Sequence, residues 1–181
     1  ASLTLGVGQF CTNPGVFIAV KGEGLERFKE SLVLEIAAIV PGRMLNAGIY
    51  EHFEKNKTTL SSQAAVTMIA ESNTEAAAGQ GRPRIISTSA SNFMKNQVLS
   101  EEVFGPFAVL VEADSAEELL AVARQLKGQL TITIAGTKED VLEHQDVFNV
   151  VKDKAGRLLF NGMPTGVEVV YAMQHGGPFP S

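Results

Sequence analysis

GQFCTNPGVFIAV, Gly8–Val20, is the stretch from which the fold is read. Its second half, Val16–Val20, is an unbroken apolar run, the mark of a strand buried on both faces. Its first half is a loop punctuated by glycine and by Pro14-Gly15, a pair that sets a turn. That loop holds Cys11, the only cysteine of the 181 residues. On spacing alone, a single cysteine without a local histidine is a weak motif, and an inert, buried thiol is the favoured reading.

Outward from this stretch the chain alternates strands and helices. Gly22 and Gly24 interrupt the first strand. Leu25, Phe28, Leu32, Ile36 and Ile39 recur at intervals of three and four, predicting an amphipathic helix ended by Pro41. A second helix is expected over 44–57, with Leu45, Ile49 and Phe53 on one face and His52 solvated. Short strands are expected over 65–70 and 84–88, separated by a polar, glycine-bearing loop. Residues 89–100 read as irregular. Phe107–Glu112 is an apolar strand. Ser115 to Glu118 has the form of a capping box opening a helix to Leu126. Leu130–Ile134 is a β-branched strand. Thr137 caps a helix running to about Asp146 and less regularly to Lys152. Leu158–Phe160 is a last short strand, followed by a tail rich in glycine and proline. Residues 1–7 read as the end of a helix, and the chain as a piece of a longer polypeptide. The fold class expected is α/β, a mainly parallel sheet covered by helices.

Composition agrees with a globular chain: 45% of residues are apolar, 19% are charged and the net charge is −5. No basic stripe points to nucleic acid. No apolar run reaches the eighteen residues of a membrane span. No metal site is expected. A lone cysteine fits a reducing compartment, here the cytoplasm.

Two segments together resemble the aldehyde dehydrogenase superfamily. GQFC at Gly8–Cys11 resembles the nucleophile segment G-Q-x-C. EEVFGPF at Glu101–Phe107 resembles the signature E-E-(I/V)-F-G-P. They lie in the family's order, about ninety residues apart. The tail NGMPTGVEVVYAMQHGGPFPS, residues 161–181, narrows the resemblance to the 2-oxoglutarate semialdehyde (2,5-dioxovalerate) dehydrogenases. Some long-chain aldehyde dehydrogenases belong to the same clade.

The resemblance implies a catalytic-domain fold and a role for each matched residue. Cys11 is the implied nucleophile, with its own N–H an oxyanion donor. Gln9 and Phe10 shape its loop. Glu102 is the implied acceptor for the ribose hydroxyls of NAD or NADP; an acceptor-only carboxylate suits a diol. Phe104 packs beside the nicotinamide. Thr165, Gly166 and Val167 line the substrate end, and His175 is a loop-packing residue. Residues 1–181 then form one cysteine-bearing catalytic domain. The general base, the oxyanion asparagine and the nucleotide-binding and oligomerisation parts are expected outside it. The implied partner is a small aldehyde, and the whole enzyme a homo-oligomer. On that account these 181 residues alone are expected to be inactive. Two other readings stay open: a long-chain aldehyde as substrate, and a non-enzymatic α/β module with an inert cysteine.

Overall fold

The computed structural model describes residues 1–166, 170–172 and 175–179. In chain order the regular elements are β1 (Val16–Val20), α1 (Glu23–Ala37), β2 (Gly42–Arg43), α2 (Ala47–Ser61), β3 (Val66–Glu71), β4 (Gln80–Gly81) and β5 (Arg84–Ser89). Then come α3 (Ala90–Lys95), β6 (Phe107–Ala113), α4 (Ala116–Gln125), β7 (Gln129–Ile134), α5 (Lys138–Glu143), α6 (Gln145–Lys152) and β8 (Ala155–Phe160).

The main sheet has the order β1-β6-β5-β3. β6 pairs in parallel with β1 on one side and β5 on the other. β3 is the exception, antiparallel to β5 at the edge. The reason is its connection: residues 72–83 return to the sheet without a crossover helix, and a parallel pair needs one. That return is pinned by Ser72, whose carbonyl accepts from Arg82 Nε at 3.0 Å and Nη2 at 2.7 Å. β7 and β8 form a separate parallel pair, joined through α5 and α6.

Successive strand residues point to opposite faces, and each face carries its own core. On one side Ile86, Val109 and Val111 meet Phe53 and Leu60 of α2, Phe93 of α3 and Val122 of α4. On the other, Ile85, Ala108 and Leu110 meet Leu25 and Ile36 of α1 and also Leu3. This double burial explains why the start of β6, Phe107–Val111, reads as a continuous apolar run.

Several expectations shift. Residues 1–7 are not the end of an α-helix. A single turn closes by Leu5 N–H donating to Ala1 O at 3.0 Å, and the backbone then inverts over Gly6 to Gly8. α2 begins later than expected because Asn46 caps it, its side chain accepting from Ile49 N at 2.9 Å. Leu45 therefore lies before the helix and is 79% exposed. Residues 89–100, expected irregular, form α3 and a short 3-10 turn, Gln97–Ser100. Ser89 and Asn96 accept from Asn92 N and Val98 N respectively and start each piece. At α4 the Ser115 side chain accepts from Glu118 N, but Glu118 reaches Asp114 N instead of closing the box. The single helix expected after Thr137 is broken at His144 (φ −111°, ψ 41°) into α5 and α6.

Asn46 gives a measurable prediction. Asn46→Ala leaves an N-terminal amide of α2 without its partner and is expected to cost about 1 kcal/mol, whereas Asn46→Gly costs only a few tenths. Urea unfolding reads the difference, and equal midpoints for the two variants would show that the cap contributes nothing.

Candidate active site

The cysteine loop is built on an inverted backbone. Gly6, Val7 and Gly8 all have positive φ, at 55°, 59° and 66°. For Val7 this left-handed conformation costs roughly 1–2 kcal/mol. Space for it comes from the β2–β4 ladder, where Gly42 pairs with Gly81. A side chain on Gly42 would collide with Val7 Cγ2 at 2.6 Å, and one on Gly81 would press on Val7 Cγ1 at 3.1 Å. Gln9 fastens the loop to the same region, accepting from Leu45 N at 2.9 Å and donating to Gly6 O at 3.0 Å. This is the shaping role expected of it.

Phe10 to Asn13 then make a tight turn, closed by Asn13 N–H donating to Phe10 O at 2.9 Å. Cys11 sits at its tip and is exposed, while Thr12 beside it is buried. The buried thiol favoured on spacing alone is thus not what the chain forms. Val16 follows directly into β1, so the turn is anchored to the sheet.

The second segment comes up against this turn because β1 and β6 are neighbours. Gly15 O accepts from Val109 N at 3.0 Å. Gly8 lies so close to Gly105-Pro106 that a Cβ on it would stand 2.6 Å from Pro106 N. Asn13 Nδ2 donates to Gly105 O at 3.0 Å. Gly105 itself has φ 152° and lies against the Phe53 ring of α2, with no room for a side chain. α2 also supports the acidic pair: Asn56 Nδ2 donates to Glu102 O at 3.4 Å. Phe53 is 1% exposed and carries Lys57 Nζ 4.8 Å from its ring centroid, a cation–π contact. Glu102 has an exposed side chain, and Phe104 is half-buried. An exposed thiol and an exposed carboxylate therefore stand on two loops locked to each other through backbone.

The tail is placed less completely. Thr165 is buried, its hydroxyl paired with the Ser2 hydroxyl and reaching Ser2 O at 3.4 Å. Arg157 Nη2 holds the same segment through Pro164 O at 2.8 Å. Gly166 is exposed with φ 88°. Val167 lies outside the described residues. His52 and His175 are both exposed. Among the described residues no His, Cys, Asp and Glu cluster is suited to a metal ion. No helix there is long and apolar enough to cross a membrane.

Asn13 and Asn56 were not singled out by sequence, and Phe53 only as part of an apolar helix face, not as a support of the site. Asn13 had a visible signal, a turn-forming residue just after the cysteine; Asn56 and Phe53 had none, since only the fold brings α2 beneath Gly105.

A comparison with protein-family models finds no match. The chain is 37% identical, over its whole length, to an alpha-ketoglutaric semialdehyde dehydrogenase of Acinetobacter baylyi, and covers 35% of that protein. In structure it is similar to an aldehyde dehydrogenase of Bacillus cereus, with a TM-score of 0.76 and 20% identity, covering 97% of this chain and 36% of the other. It is also similar to the succinic semialdehyde dehydrogenase of Streptococcus pyogenes solved with NADP+, with a TM-score of 0.70 and 21% identity, covering 97% of this chain and 39% of the other. The chain thus spans about a third of the length of the curated relative it matches. Over its whole length the chain is thus similar in sequence to a part of an alpha-ketoglutaric semialdehyde dehydrogenase, and in fold to a part of aldehyde dehydrogenases.

Proposed function

We propose that these residues are the cysteine-bearing catalytic domain of an enzyme oxidising 2-oxoglutarate semialdehyde to its dicarboxylate. The observation that carries this reading is the exposed Cys11 turn locked against the segment that presents Glu102. The relative from Acinetobacter baylyi, by its name, supports the choice of a semialdehyde over a long-chain aldehyde.

In this reading the Cys11 thiolate adds to the carbonyl carbon, forming the C–S bond and moving an electron pair onto oxygen. The Cys11 N–H donates to that oxyanion. Loss of hydride from the same carbon leaves a thioester on Cys11. Water then cleaves the C–S bond, giving the carboxylate and returning the thiol. A nicotinamide dinucleotide, NAD or NADP, supplies the hydride acceptor when bound. The residues present fit such a group. Glu102 is an exposed, acceptor-only carboxylate for two hydroxyl donors, on a turn whose Gly105 leaves no side chain in the way. Phe104 offers an apolar edge to the nicotinamide. Gly166, exposed beyond the buried Thr165, lies toward the substrate end, with Val167 next in sequence.

The general base and the nucleotide-binding fold belong to parts of the enzyme outside these residues, which alone turn over no aldehyde. The whole enzyme is a homo-oligomer. An exposed thiol kept reduced is at home in the cytoplasm.

The test is labelling of the full-length protein with iodoacetamide. Prompt alkylation of Cys11 in the folded state is expected, with turnover of 2-oxoglutarate semialdehyde lost in step. Full turnover after stoichiometric alkylation at Cys11 would sink the reading. Faster turnover of a long-chain aldehyde would transfer it to that substrate.

A further inference from the structure

We infer that Asn13 is a positioning residue, a clasp that fixes the Cys11 turn against the segment carrying Glu102; this rests on the function proposed above. Asn13 is tied on both sides. Its backbone N–H closes the turn on Phe10 O at 2.9 Å, and its side-chain Nδ2 donates to Gly105 O at 3.0 Å. The second bond spans the two segments directly, and it is a side chain's. Gly105 O is three residues from Glu102 in a segment otherwise held by Phe53 and Asn56 from below. The cysteine turn and the Glu102 segment therefore share a side-chain link made by this carboxamide, beside the close backbone approach of Gly8 to Gly105-Pro106.

The chemistry of the link selects asparagine. Gly105 O already accepts from Phe107 N–H at 2.8 Å and takes a second donor from Asn13 Nδ2, so the nitrogen of the carboxamide faces it, and this sets the orientation of the group. Oδ1 is then buried, and no described residue donates to it. A buried carbonyl without a donor is unfavourable by itself. Keeping it is the cost of having Nδ2 where it stands. An aspartate is the same size but presents only oxygen to Gly105 O, replacing attraction by repulsion. An alanine removes the link altogether.

A clasp of this kind acts on geometry. Misplacing reacting groups by about 1 Å costs on the order of 10²-fold in rate. In the full-length enzyme, Asn13→Ala and Asn13→Asp are each expected to lower kcat roughly 10- to 100-fold. The KM for aldehyde and the Kd for NAD or NADP should change by less than about threefold, since neither variant removes a group that touches them. If Asn13→Ala folds poorly, Asn13→Asp carries the same readouts, the isosteric side chain filling the same space. A kcat unchanged in both variants would overturn the clasp, as would a loss of activity matched by the fraction unfolded. These results differ from failure of the underlying function: there, Cys11→Ala itself would keep its turnover.

Discussion

Replacing the thiol of Cys11 by Ala in the full-length protein is expected to abolish aldehyde oxidation, with kcat down by about 10³-fold or more. Each factor of ten corresponds to about 1.4 kcal/mol, so at least about 4 kcal/mol of barrier lowering is assigned to one sulfur. On the proposed mechanism, without it there is no covalent adduct to present hydride and no thioester to hydrolyse. Ser in its place should also fail, because a hydroxyl at its ordinary pKa is a poor nucleophile. The fold should not notice. Cys11 is exposed at the tip of a turn, and neither core includes it. Exposed substitutions of this kind stay within about 0.5 kcal/mol. Unfolding midpoints and nucleotide affinity are therefore expected at their original values. Turnover by Cys11→Ala within tenfold of the parent would end the assignment.

Gly8→Ala should damage structure and activity together. Two penalties add. Gly8 has φ 66°, a conformation that costs an alanine about 1 kcal/mol or more. Its new Cβ would also meet the Gly105 carbonyl and Pro106 N, backbone atoms with no rotamer to move. Overpacking of this type costs about 1–3 kcal/mol, so about 3 kcal/mol in all is expected. The chain must respond by separating the cysteine turn from the Glu102 segment. Activity of the full-length enzyme should fall more steeply than stability alone explains. Gly15→Ala is the control: φ is not positive there and nothing lies within 4 Å of its added Cβ. Equal unfolding midpoints for the two variants would show that the close approach is not needed.

Legibility followed the range of the forces involved. The central strand announced itself, because β6 is covered on both faces and is apolar from Phe107 to Val111, and β1 beside it is an unbroken apolar run. α1 was visible through its spacing, with Leu25 and Ile36 in the core. The errors fell where one side-chain hydrogen bond decides a boundary. Asn46 moved the start of α2 and put Leu45 into solvent; Ser89 and Asn96 made short helices out of a stretch that looked irregular. The inverted backbone at Val7 carries no local sequence signal, since what permits it is two glycines far along the chain. Of the site, Cys11 and Glu102 were marked by resemblance to family segments, not by spacing. That their two segments meet follows from β1 pairing with β6, a fact of topology. The support from Phe53 and Asn56 was invisible for the same reason.

The pairing of Val16–Val20 with Val109–Ala113 has a kinetic side. Its partners are separated by about ninety residues, and closing a loop of that length forfeits chain entropy before any contact repays it. Such non-local ladders slow folding. The cysteine turn is translated before β6, and it finds its counterpart only after β6 has emerged and docked. A nascent or partly unfolded chain accordingly carries the thiol without the segment that meets its turn, and the two come together only once this long-range ladder has formed.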